Sequence, residues 1–113
     1  MNNNDFVGRD APEGENARRM LARHFAMEVI ELSTVHVSQE LLRTIGAEIA
    51  TRYGVFPVKQ SQDGTLTVAV SDPLDFDAID SLRSILKTNI KAVYSDRHAL
   101  QKAIALHYGK GAA

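Results

Sequence analysis

The 113-residue chain contains no cysteine. That absence excludes disulfides, zinc–thiolate centres and thiol catalysis, and it fits a cytoplasmic setting without requiring one. Aromatic residues are few, three tyrosines and four phenylalanines, and they are too scattered for a base-stacking platform. There is little net charge: 13 basic residues stand against 14 acidic ones, a balance of −1, so no global field draws the chain to nucleic acid or to an anionic membrane. Long hydrophobic runs are missing, and none approaches the roughly 20 residues of a membrane-spanning helix. The opening MNNNDFVGRD has no apolar core segment and does not read as a secretory signal.

What is present is ordinary for one globular domain: 44% hydrophobic and 24% charged residues. Residues 1–15 are polar and aperiodic and read as a disordered tail. Asn16 can cap a helix running to about Phe25, followed by a short extended piece from Met27 to Leu32. Ser38 is a cap for a helix whose apolar residues Leu41, Leu42, Ile45, Ile49 and Tyr53 recur at helical spacing. Gly46 splits that helix in two and Gly54 ends it. Val55–Lys59 and Thr65–Val70 flank a turn carrying Asp63-Gly64, a hairpin signal. Asp75 caps a helix to about Lys87, Ile90–Tyr94 is a third strand, and Ser95 or Asp96 caps a last helix ending at Gly109. The fold class is therefore α/β (α+β): a small three-stranded mixed sheet built as β-hairpin, helix, strand, helix, with additional N-terminal helices. The strand–helix–strand step predicts a right-handed crossover with both C-terminal helices on one face of the sheet.

Three constellations invite chemistry. Asp72, Asp75, Asp77 and Asp80 lack the glycine and the bidentate glutamate of a calcium loop, so they read as turn and cap residues at the positive end of a helix dipole. His24, His36, His98 and His107 include no pair at the i, i+4 spacing of a helical zinc site. Arg18, Arg19 and Arg23 form a basic face on the first helix. Arg19 and Arg23 stand one turn apart and can grip a phosphate or an acidic partner together. A solvated face is the simplest account of them, yet they are the first place to look for a binding surface. No nucleophile–base pair stands out, and neither a cofactor nor a metal is expected.

The segment LTVAVSDPLDFDAIDSLRSILKTNIKAVYSDRHALQKAIALHY is similar to the N-terminal domain of type II secretion and type IV pilus assembly ATPases, the MshEN-like family. The carriers are Ala69-Val70-Ser71-Asp72-Pro73, Leu74-Asp75-Phe76-Asp77-Ala78, Ile90 to Tyr94, and Ile104 to Tyr108. Upstream, Val29-Ile30-Glu31-Leu32 and Ala50-Thr51-Arg52-Tyr53-Gly54-Val55-Phe56-Pro57-Val58 resemble the family's matching segments. Together the likeness spans residues 16–108. It implies a non-catalytic docking domain that links a motor to the cytoplasmic domain of an inner-membrane platform protein. It also implies a contact with the ATPase motor domain, and a cytoplasmic location peripheral to the inner membrane. Neither nucleic acid nor direct membrane insertion is implied. The chain has no G-x-x-x-x-G-K-[ST] loop, because Gly109-Lys110-Gly111 lacks both the upstream glycine and the Ser/Thr, so hydrolysis of ATP is not expected of it. Some relatives bind cyclic di-GMP through paired motifs beginning Arg-Leu-Gly. Residues 1–30 contain no Arg-Leu-Gly, which argues against that ligand here. A stand-alone regulatory adaptor ending near residue 113 is the remaining alternative.

Overall fold

Three strands organise the chain. The hairpin joins β1 (Phe56–Gln60) to β2 (Leu66–Val70) in antiparallel register, and β3 (Ile90–Tyr94) lies parallel to β2, giving the order β1-β2-β3. The computed structural model describes residues 14–109. The expected N-terminal tail lies outside them except for Gly14 and Glu15, and the expected C-terminal tail except for Gly109. Before the sheet come α1 (Glu15–His24), a 3₁₀ turn (Leu32–Thr34), α2 (Gln39–Ile45) and α3 (Ala47–Tyr53). Helix α4 (Phe76–Leu86) connects β2 to β3, and α5 (Arg97–Ile104) follows, closing in a wider π turn (Ala105–Gly109).

Local chemistry sets most boundaries. The Leu41 amide donates to Ser38 Oγ at 3.0 Å, the Ala78 amide to Asp75 Oδ1 at 3.2 Å and the His98 amide to Asp96 Oδ1 at 3.2 Å, so α2, α4 and α5 each begin on a side-chain cap. Gly46 separates α2 from α3 with φ 86° and ψ 157°, a region almost closed to other residues. At the hairpin, the Thr65 amide donates to Asp63 Oδ1 at 2.9 Å and holds that carboxyl below its usual pKa. Helix α1 departs from expectation. It starts at Glu15 behind Gly14, without a side-chain cap, so Asn16 is already inside it.

The extended piece at 27–32 shrinks to a single parallel bridge, Val29 to Tyr94, with the Tyr94 amide donating to Glu28 O at 2.8 Å and the Ile30 amide to Tyr94 O at 2.9 Å. The chain then enters the 3₁₀ turn, where Thr34 Oγ1 donates to Glu31 O at 2.8 Å, a local side-chain bond of the kind that competes with a ladder. At the opposite edge β1 carries Pro57, a register shift between Pro57 and Lys59, and the exposed Lys59, three features that discourage strand addition.

Both faces of the sheet are covered, which corrects the expectation that α4 and α5 share one face. Residues paired across a ladder point the same way. Leu66, Val68 and Val70 therefore share a face with Ile90, Ala92 and Tyr94, while Ala69 shares the other with Phe56 and Val93. Helix α4 covers the first face, where Ile79 and Arg83 border one cavity together with Val70 and Ala92. The second is covered by α5 and its π turn. There the Tyr108 ring lies 6.1 Å from Phe56, and the Tyr108 hydroxyl donates to Leu42 O at 2.7 Å, bringing α2 to the same side. The physical cause is in β2, whose five residues are all buried and so need cover on both sides. Leu82 at 0% and Leu100 at 2% exposure anchor the two helices, each burial contributing about 2 kcal/mol.

Candidate functional site

Helix α1 carries the arginines, and its own residues determine where they sit. Glu15 in the first turn and Arg23 and His24 in the last suit the helix dipole. The C-terminus closes with the Ala26 amide donating to Arg23 O at 2.9 Å and the Met27 amide to Ala22 O at 2.8 Å, a Schellman motif. Ala26 occupies its left-handed position with φ 57°, where glycine is usual. The helix buries Ala22 among its 10 residues, so apolar packing holds it weakly.

A polar joint supplies the rest. The buried Tyr94 hydroxyl donates to Glu15 Oε2 at 2.6 Å, joining α1 to the end of β3 across 79 residues of sequence. Burial, and then the neighbouring Glu15 carboxylate, push the Tyr94 phenol up to about 12, so it remains a proton donor. Glu15 also meets Arg18 at 3.7 Å and Arg19 at 3.4 Å.

This joint divides the three predicted arginines. Arg18 has a side chain only 16% exposed and belongs to the junction of α1 with the sheet. Arg19, 42% exposed, shares the Glu15 carboxylate yet still reaches solvent. Arg23 is exposed and makes no ion pair among the described residues. The outward basic pair is therefore Arg19 and Arg23. The sequence places Glu15 in a tail and Tyr94 at the end of a strand; nothing local signals a contact between residues so far apart.

The aspartates of the β2–α4 loop are engaged by backbone. Asp72 Oδ1 accepts from the Leu74 amide at 2.9 Å, and Asp75 serves as the cap described above. A cleft of about 260 Å³ lies beyond the carboxyl end of β2, between this loop and α5, with Tyr53, Arg97 and Gln101 in its wall. On the other side of the loop a cavity of about 180 Å³ opens beside Phe76 and Met27. The four histidines are exposed and dispersed, with the His107 ring centroid 5.4 Å from that of Phe56 and the two planes tilted by 44°. Among the described residues no three His, Asp or Glu side chains converge in a group able to hold a metal ion. Nor is any helix there long and apolar enough to cross a membrane.

The MshEN domain model matches residues 25–113. The chain belongs to the MshEN domain family. Within that family frame, the chain is 26% identical over 105 residues to the type IV pilus assembly ATPase PilB of Myxococcus xanthus, covering 93% of this chain and 18% of PilB. It thus spans less than a fifth of that relative's length. The structure of MshE with cyclic di-GMP superposes with a TM-score of 0.74 at 25% identity, covering 91% of this chain and 70% of that one. The N-terminal domain of XpsE shares the fold, in one crystal form with a TM-score of 0.68 at 19% identity over 93% of this chain and 78% of the other. This MshEN domain is therefore of the type II secretion and type IV pilus ATPase N-terminal kind, and its three-stranded mixed sheet with flanking helices is the architecture those relatives share. Helix α1, by contrast, lies wholly outside the family match, which begins at Phe25.

Proposed function

We propose that this MshEN domain docks a type II secretion or type IV pilus assembly ATPase onto the cytoplasmic domain of an inner-membrane platform protein. It acts by recognition and positioning, not by chemistry of its own. The observation that carries the reading is a family match across most of a chain that has no phosphate-binding loop. The location that follows is cytoplasmic, held at the inner membrane through the partner. The docking surface is the outward face of α1, where Arg19 and Arg23 suit an acidic protein surface. Co-purification with the cytoplasmic domains of neighbouring secretion or pilus proteins tests this. A specific complex that is lost on Arg19→Glu with Arg23→Glu supports the reading; failure with every such domain overturns it.

The similarity to MshE with cyclic di-GMP favours a second reading, in which the domain senses that dinucleotide. Against it stands the missing Arg-Leu-Gly in residues 1–30. Titration calorimetry with cyclic di-GMP separates the two. Binding weakened by Arg19→Ala or Arg23→Ala supports sensing, and the absence of heat at high nucleotide concentration removes it.

A further inference from the structure

Two phenylalanines from distant parts of the chain meet in the open. Phe25, just after α1, and Phe76, the first residue of α4, pack edge to face with ring centroids 6.1 Å apart. Yet Phe25 stays 45% and Phe76 58% exposed, and the adjacent Leu74 is 50% exposed. Phe76 also walls the cavity beside Met27, Pro73 and Ile79. Aromatic surface gathered at one place and left facing water is a mark of an interaction site.

The charges around it are split by sign. On the α1 side stands Arg23, with Arg19 one turn before it. On the α4 side stand Asp75, Asp77 and Asp80. Arg83 neutralises Asp80 at 2.8 Å, while Asp75 and Asp77 make no ion pair among the described residues. Among the described residues these opposite charges make no ion pair with one another: Arg23 lies two residues before Phe25 and Asp77 directly after Phe76. A surface with an apolar centre, one basic side and one acidic side is complementary to itself under a two-fold rotation. With the axis through the aromatic pair, Arg23 of one copy would face Asp75 and Asp77 of the other, and the phenylalanines would cover one another.

We propose that the Phe25–Phe76 patch is the interface at which a second copy of this chain binds, as a two-fold dimer. Exposed Met20 on α1, at 68% exposure, adds apolar surface on the basic side. The inference goes beyond docking to a platform protein, and its test uses neither that partner nor any other.

Sedimentation equilibrium of the full chain, from micromolar to millimolar concentration, reads the dimer directly. The expected result is a concentration-dependent dimer that weakens as salt rises. Phe76→Ser should weaken it by about tenfold or more, as loss of a central aromatic anchor does. Arg23→Asp should weaken it, and adding Asp77→Arg to that variant should restore it. Circular dichroism checks that each variant is folded; Phe25→Ser replaces Phe76→Ser if the latter is not. A monomer at every concentration overturns the proposal. So does a dimer indifferent to all of these substitutions, or one that forms only when residues 1–13 are removed, since that segment would then be the occupant of the patch.

Discussion

Removing one oxygen from Tyr94 should release α1 without unfolding the sheet. Tyr94→Phe keeps the ring, which is wholly buried, and deletes the hydroxyl that donates to Glu15 at 2.6 Å. A hydrogen bond to a carboxylate contributes about 2 kcal/mol net, roughly a 30-fold change in an equilibrium constant. Little else opposes the release. Helix α1 has 10 residues and buries Ala22, and isolated helices shorter than about 12 residues are marginal in water. Arg19 bonds Glu15 within the same helix and does not tie it to the sheet, while Arg18 also reaches the Tyr94 hydroxyl, a contact that the same substitution deletes. Native-state hydrogen exchange is the assay. The α1 amides should exchange about 30-fold faster in the variant, while the amides of β2 keep their protection. Glu15→Gln should give a smaller effect of about 1 kcal/mol, because a neutral acceptor replaces a charged one. Unchanged exchange in α1 would refute the joint. An equal loss in β2 would show that α1 unfolds only with the whole domain, and would refute its separate attachment. The functional consequence is direct, since a detached α1 carries Arg19 and Arg23 away from the patch formed by Phe25 and Phe76.

Other expectations follow from the same geometry. Gly46→Ala should cost about 2 kcal/mol in denaturant unfolding although no atom lies within 4 Å of the added Cβ, because the penalty comes from φ 86° and not from a clash. Ala26→Gly should do the opposite, raising stability by about 0.5 kcal/mol as relief of the left-handed strain exceeds the added chain entropy. Tyr94 and Tyr108 are both pushed up from 10.0 to about 12, chiefly by burial, so the folded state holds each phenol proton more tightly than the unfolded chain does. Their contribution is fully present below pH 10.0 and is lost as pH rises towards about 12; tyrosinate absorbance and circular dichroism should change together in that window. Ionisation of both at pH 10.0 with the fold intact would contradict the burial reading.

Legibility in the sequence followed the range of the interaction. Ser38, Asp75 and Asp96 cap helices through bonds to amides two or three residues away, so a short window of sequence contains both partners. Gly46 and Gly54 act through their own dihedral angles and need no partner at all. The apolar and β-branched composition of residues 66–70 and 90–94 likewise marks strands. The aspartates of the β2–α4 loop read correctly as turn and cap residues for the same reason.

Where the reading failed, the deciding partner lay far away. Glu15 looked like the end of a polar tail because its partner is Tyr94, and the basic face looked like three equivalent arginines because that same contact draws Arg18 inward. The placement of α4 and α5 on opposite faces depends on Phe56, Tyr108 and Leu42 meeting across the sheet, which no local pattern encodes. By itself the sequence determined the elements, their order, the absence of a phosphate-binding loop and the family likeness, all properties of short windows or of windows in series. The tertiary structure alone decided which charges remain outside and which aromatic surface is left uncovered, because burial and ion pairing depend on which distant residues the packed core brings into contact.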